Sequence, residues 1–90
     1  MMSYQRQDYK NLFKSNLEPF LDMLENKQAN SDPHRWRERV SWLAACVAGN
    51  PEQYVGQEMP VRNIAIEIID EIFEDFLREH SLFEESVLHA

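Results

Sequence analysis

Four carboxylates, Glu67, Asp70, Glu71 and Glu74, recur at intervals of three and four residues. On a helix that spacing places them on one narrow face, with neighbours about 5–6 Å apart. The interval is near that of successive phosphates, so such a face can meet a cationic partner or imitate a nucleic-acid strand toward an Arg/Lys-lined groove. Asp75 and Glu79 flank the row, and Arg78 follows Glu74 by one turn, the position for a favourable i, i+4 ion pair. The plainer use of the row is a hydrated face that keeps an apolar helix in solution.

A second constellation is basic and aromatic. His34-Arg35-Trp36-Arg37-Glu38-Arg39 is the only basic cluster in the chain. Arg35, Arg39, Trp42 and Cys46 form a helical stripe set about 80–100° round from the apolar stripe Trp36, Val40, Leu43 and Val47. Trp42 therefore points away from the main core direction, toward either a further helix or a partner. Tyr54 also falls outside the principal apolar stripes, and Trp and Tyr are common interface anchors. Arginines in a first helical turn oppose the helix dipole. Arg35 and Arg39 are thus expected to pair with the acids of the later helix, within one chain or between two copies.

Metal and catalytic patterns are sparse. A carboxylate metal centre in a helical bundle uses Glu-x-x-His, but the residues three before His34, His80 and His89 are Ser31, Leu77 and Ser86. Glu85 and His89 could supply two ligands at most. The single cysteine, Cys46, excludes an internal disulfide and any CxxC motif. Lying within LAACVA, it reads as a small buried hydrophobe. The chain holds no GxSxG, P-loop or HExxH motif. No catalytic residue, no metal site and no cofactor is expected, and hence no enzyme.

The elements that must position these residues are helical. A first helix is expected from about Ser3 to Ser15, with Tyr9, Leu12 and Phe13 on one side. Pro19 would clash with the Ser15 carbonyl in a continuous helix, whereas Ser15 and Glu18 make a capping box for a second helix carrying Phe20, Leu21 and Leu24. One kinked helix is the competing arrangement, because the stripe Tyr9, Phe13, Leu17, Phe20 and Leu24 crosses the break. Asp32 then caps a helix with Pro33 in its first turn, stopped by Gly49 and Pro51. Asn50 to Gln53 can open a single turn that ends at Gly56. The long helix, Val61 to His80, carries an apolar arc of about 220°, against little more than 100° for an ordinary surface helix. It must be central in the bundle or shared with a second subunit. Ser81 and Glu84 form another capping box for a short last helix.

Composition agrees with that picture. The 90 residues carry 9 Lys+Arg and 16 Asp+Glu, a formal charge of −7. The imbalance is local: residues 1–49 are near neutral, and the carboxylate excess lies beyond residue 50. Hydrophobic content of 43% is too high for disorder, and 2 glycines are too few for an all-β domain rich in tight turns. The acidity speaks against nonspecific binding to nucleic acid or anionic lipid. The longest apolar run, 42–48, is far short of the roughly 20 residues of a membrane span. MMSYQRQDYK reaches charged residues too early for a signal peptide, so a cytoplasmic protein is expected.

These observations predict one all-α domain over residues 1–90, a compact bundle of four to five helices with a long central amphipathic helix at about 61–80. The expected function is a non-catalytic, acidic protein–protein interaction module that self-associates as a homodimer and binds a partner protein. The acidic face (Glu67, Asp70, Glu71, Glu74) and the aromatic and basic residues (Trp42, Tyr54, Arg35, Arg39) are the expected contacts, without direct nucleic-acid or membrane binding. The alternative is an acidic inhibitor that occupies the basic groove of a nucleic-acid-handling enzyme.

Overall fold

The computed structural model describes residues 5–28 and 32–80. They form an all-α bundle of four helices: α1 (Arg6–Gln28), α2 (Pro33–Gly49), α3 (Pro51–Val55) and α4 (Arg62–His80). The long α4 packs against both α1 and α2, and the single-turn α3 closes one end against α1 and α2. The helix expected to open at Ser81 lies outside the described residues. No helix among those described is long and apolar enough to cross a membrane.

α1 corrects the expected break at Pro19. The chain stays helical through that residue, so Ser15 and Glu18 are interior helical positions and form no capping box. An interior proline costs about 3 kcal/mol through the lost hydrogen bond and ring clash. Against this, the continuous helix keeps Phe13, Leu17 and Leu24 buried on one line, each worth about 1.5–3 kcal/mol. Pro19 and Ser15 are both exposed, so water can satisfy the freed Ser15 carbonyl. The apolar stripe outweighs the breaker.

α2 begins as expected. Asp32 is extended at the N-cap and its carboxylate accepts from the Arg35 backbone N–H at 3.2 Å, with Pro33 in the first turn. Trp36, Val40, Leu43 and Val47 are all buried. The Trp36 indole N–H donates to the Leu24 carbonyl at 2.6 Å, so the largest core side chain also joins α2 to α1. Cys46 is half-buried, not fully buried, because it follows the side stripe of Trp42 instead of the core stripe.

Between α2 and α4 the chain reverses through short, specified contacts. The Arg62 guanidinium donates to the Gly49 carbonyl at 3.1 Å, satisfying an acceptor at the end of α2. α3 ends at Gly56, whose φ of 94° is the only positive value among the described residues. A side chain there would be strained, and its Cβ would sit 3.4 Å from the Asn16 amide nitrogen. That nitrogen donates to the Val55 carbonyl at 2.6 Å and ties α3 to α1.

The wide apolar arc of α4 is consumed within the chain. Ala65, Ile68, Ile69, Ile72, Phe73 and Phe76 are buried, because α1 and α2 cover two different sides of the helix. Only the first part of the arc stays open, with Val61 67% and Ile64 40% exposed. A second subunit is not needed to cover the rest.

Candidate functional site

The acidic face of α4 is divided by the helices on either side of it. Toward α1, Glu71 accepts from Arg6 at 2.6 Å and from Lys10 at 2.8 Å. Lys10 also reaches Asp75 at 2.9 Å, and Arg6 lies 4.0 Å from Glu67. Arg6 and Lys10 are one turn apart on α1, matching Glu71 and Asp75 one turn apart on α4. The Lys10 side chain is only 15% exposed. Its hydrogen bonds to Glu71, then to Asp75, hold its ammonium above the usual lysine range against a smaller opposing effect of burial. The same bond from Lys10, joined by Arg6, pushes the Glu71 carboxyl down, and Lys10 does likewise for Asp75. All of these shifts favour the charged forms.

This network alters two sequence expectations. Asp75, read as flanking the row, is a central member. Arg78 pairs with Asp75 at 3.1 Å and makes no ion pair with Glu74 in the structure. Asp75 lies on the side of α4 that meets α1, where Lys10 reaches it at 2.9 Å.

Toward α2, Asp70 and Glu74 are exposed. They border an open groove of about 300 Å³ lined by Val40, Ser41, Ala44, Ala45, Phe73 and Leu77. Small side chains on α2 keep the helices from filling it. The four-carboxylate row is thus two surfaces: Glu71, with Glu67 at its margin, faces cations of its own chain, while Asp70 and Glu74 rim an apolar groove.

Arg35, Glu38, Arg39 and Trp42 converge on a shallow depression of about 380 Å³. Trp42 is 71% exposed, the most exposed of the large hydrophobic side chains among the described residues. Arg35 and Arg39 are exposed and pair with no acid of α4 of their own chain, which corrects the intrachain form of the expected charge complementarity. The acids of α4 instead find their cations on α1. Arg35 and Arg39 project from the opposite side of α2 to its α4-facing groove. Glu38 is the nearest carboxylate of their own depression, and it sits 3.1 Å from a ring nitrogen of His34.

Tyr54 does not join Trp42. It is half-buried on α3, its ring edge-on to Phe20 at 5.4 Å between centroids, and it packs against the core. The aromatic pair proposed from sequence therefore separates into one structural residue and one surface residue.

A further groove of about 370 Å³ lies between α1 and α4, with Glu18, Asp22, Glu25 and Glu79 at its rim and Leu21, Ile72 and Phe76 in its lining. At its end the His80 ring stacks on Phe76 at 4.2 Å and sits 3.4 Å from Glu25. The signal was present in the sequence as Glu18, Asp22 and Glu25 at i, i+4 and i+7. A helix break at Pro19 conceals it, since Glu18 is then a capping residue.

Chemically, these surfaces combine charged rims with apolar linings. No group of three His, Cys, Asp or Glu among the described residues is placed to hold a metal ion. Every buried side-chain nitrogen and oxygen among them has a hydrogen-bond partner. Comparison with known proteins returns no matching family model, no similar curated protein and no similar solved structure.

Proposed function

We propose that this chain is a non-catalytic interaction module of the cytoplasm that docks a protein through the outer face of α2, with Trp42 as anchor and Arg35 and Arg39 as charged flanks. The observation that carries the reading is the 71% exposure of Trp42 in a bundle whose other tryptophan is 2% exposed. Leaving an indole in water forgoes roughly 2 kcal/mol or more of burial. Tryptophan and arginine are the residue types most concentrated at the energetic centres of interfaces. A lone cysteine outside any disulfide suits a reducing compartment.

The test is capture from the source cell on immobilised protein. Trp42→Ala should release the retained chain while leaving helicity and melting temperature unchanged, and Trp42→Phe should retain most of it. Retention that is indifferent to Trp42→Ala, and to Arg35→Ala with Arg39→Ala, would reject the reading.

Mimicry of nucleic acid by α4 has less support. Glu71 and Asp75 already hold Arg6 and Lys10, so a foreign basic groove would have to displace them. Reversing Glu67 and Glu71 to lysine, with circular dichroism confirming the fold, separates the two ideas: it strongly weakens a mimic's binding and leaves docking through Trp42 intact.

A further inference from the structure

We infer that the Trp42 face of one copy docks into the Asp70/Glu74 groove of a second copy of this chain. The inference rests on the reading of Trp42 as a docking residue and names its occupant.

The two surfaces complement each other in charge and in shape. One is an apolar knob, Trp42, flanked by Arg35 and Arg39, with one carboxylate, Glu38, in the same depression and 3.1 Å from a ring nitrogen of His34. The other is a groove with an apolar lining, Ala44, Ala45, Phe73 and Leu77, rimmed by the carboxylates Asp70 and Glu74. Arg35 and Arg39 are one helical turn apart, as are Asp70 and Glu74, a rise of about 6 Å in each case. Both ion pairs can therefore form in one docking pose, and an arginine fork suits a carboxylate better than water-exposed lysine would. A tryptophan buries about 150–250 Å², and the groove volume of about 300 Å³ gives the indole somewhere to go. The groove between α1 and α4 is also acidic at its rim, but its lining holds Lys14, Asn11 and Ser15 beside Leu21, Ile72 and Phe76, so an indole flanked by arginines meets a more polar seat and a like charge there.

The placement of the two surfaces also fixes the symmetry. At 100° per residue, Trp42 and Ala44 lie about 160° apart round α2, with the core stripe on one side between them. A knob on one flank and a groove on the other make a head-to-tail contact. Such contacts do not close as a two-fold pair; they form rings or open chains. The contact is small, so association should be weak and concentration-dependent.

The experiment is complementation between two variants, followed by sedimentation velocity. Trp42→Ala keeps the groove and loses the knob. Asp70→Lys with Glu74→Lys keeps the knob and loses the groove. All three positions are exposed, and circular dichroism checks that each variant folds. The wild-type weight-average mass should rise above that of one chain between about 10 µM and about 1 mM. Each variant alone should stay a single chain, while their equimolar mixture should form a one-to-one complex and stop there. High salt should dissociate it.

A mixture that stays dissociated while the wild type associates overturns the head-to-tail contact in favour of a face pairing with itself. A wild-type chain that stays single at about 1 mM overturns self-pairing altogether. In that case Trp42→Ala still decides the parent reading: release of a captured protein keeps Trp42 as a docking residue, and no release removes both.

Discussion

Two cation pairs at the same helical spacing meet different fates in this molecule. Arg6 and Lys10 on α1 are drawn into a network with Glu71 and Asp75. Arg35 and Arg39 on α2 stay exposed beside Trp42. Charge and spacing are alike, and both helices pack on the same acidic α4. What differs is azimuth: Arg6 and Lys10 continue the line of the buried stripe of α1 beyond Phe13 and Leu17, whereas Arg35 and Arg39 lie about 90° round from the buried stripe of α2. Opposite charge on neighbouring helices produces an ion pair only when both sit at the shared seam. An unpaired set beyond that seam is the material from which an interface can be made.

The largest effect that sharpens this contrast concerns the two tryptophans. Trp36→Ala removes a buried indole together with its bond to the Leu24 carbonyl; it should destabilise by about 3–5 kcal/mol in urea unfolding. Trp42→Ala, on the exposed face, should change stability by no more than about 0.5 kcal/mol. Comparable losses at the two positions would mean that Trp42 is covered in the native state.

Gly56→Ala comes next. The positive φ and the nearby Asn16 amide predict a loss of about 1–2 kcal/mol, read from the thermal midpoint, with α3 loosened from α1. A neutral outcome would show that the α3 turn is free to adopt another backbone.

Smaller still is the difference between the cation pairs. Lys10→Met breaks contacts to both Glu71 and Asp75 and should lower stability by less than about 1 kcal/mol at low salt, fading as salt rises. Arg39→Met should leave stability unchanged and weaken docking instead. Equal stability losses from the two substitutions would dissolve the distinction between seam and outer face.

The pH dependence follows the same network. The Glu71 and Asp75 carboxyls are depressed in the folded chain, so their contribution is present above the ordinary carboxylate range and is lost as pH falls through the folded values. Lys10 is raised, so its contribution is present below the ordinary lysine range and is lost as pH rises through its folded value. Stability from this cluster should be level around neutrality and fall at both extremes. Urea midpoints across pH for the wild type and Lys10→Met should converge at low pH; a constant gap would place the effect elsewhere.

Much of the fold was legible because it rests on local rules. Asp32-Pro33 marks a helix start through capping chemistry, and Trp36, Val40, Leu43 and Val47 declare a buried stripe by period alone. Pro19 was harder, since its penalty is local while the compensating contacts of Phe13, Leu17 and Leu24 are tertiary. The site was legible in part. Spacing shows that Trp42 leaves the core stripe, and the structure agrees with 71% exposure. Spacing does not show which side of α4 meets α1, so it cannot separate Glu71 from Asp70 or place Asp75 in the network. Tyr54 looks free in sequence because its partner, Phe20, is distant along the chain.

Acrylamide quenching of tryptophan fluorescence reads the outer face of α2 directly, because Trp36 is already buried and any change reports Trp42. Docking through Trp42 predicts a readily quenched fraction in dilute wild-type protein that disappears, with a blue-shifted emission, as the chain is concentrated toward about 1 mM. The Trp42→Ala variant should show neither the fraction nor the shift. An accessible fraction that persists unchanged at high concentration and in the presence of every captured protein would contradict a docking role for the outer face of α2.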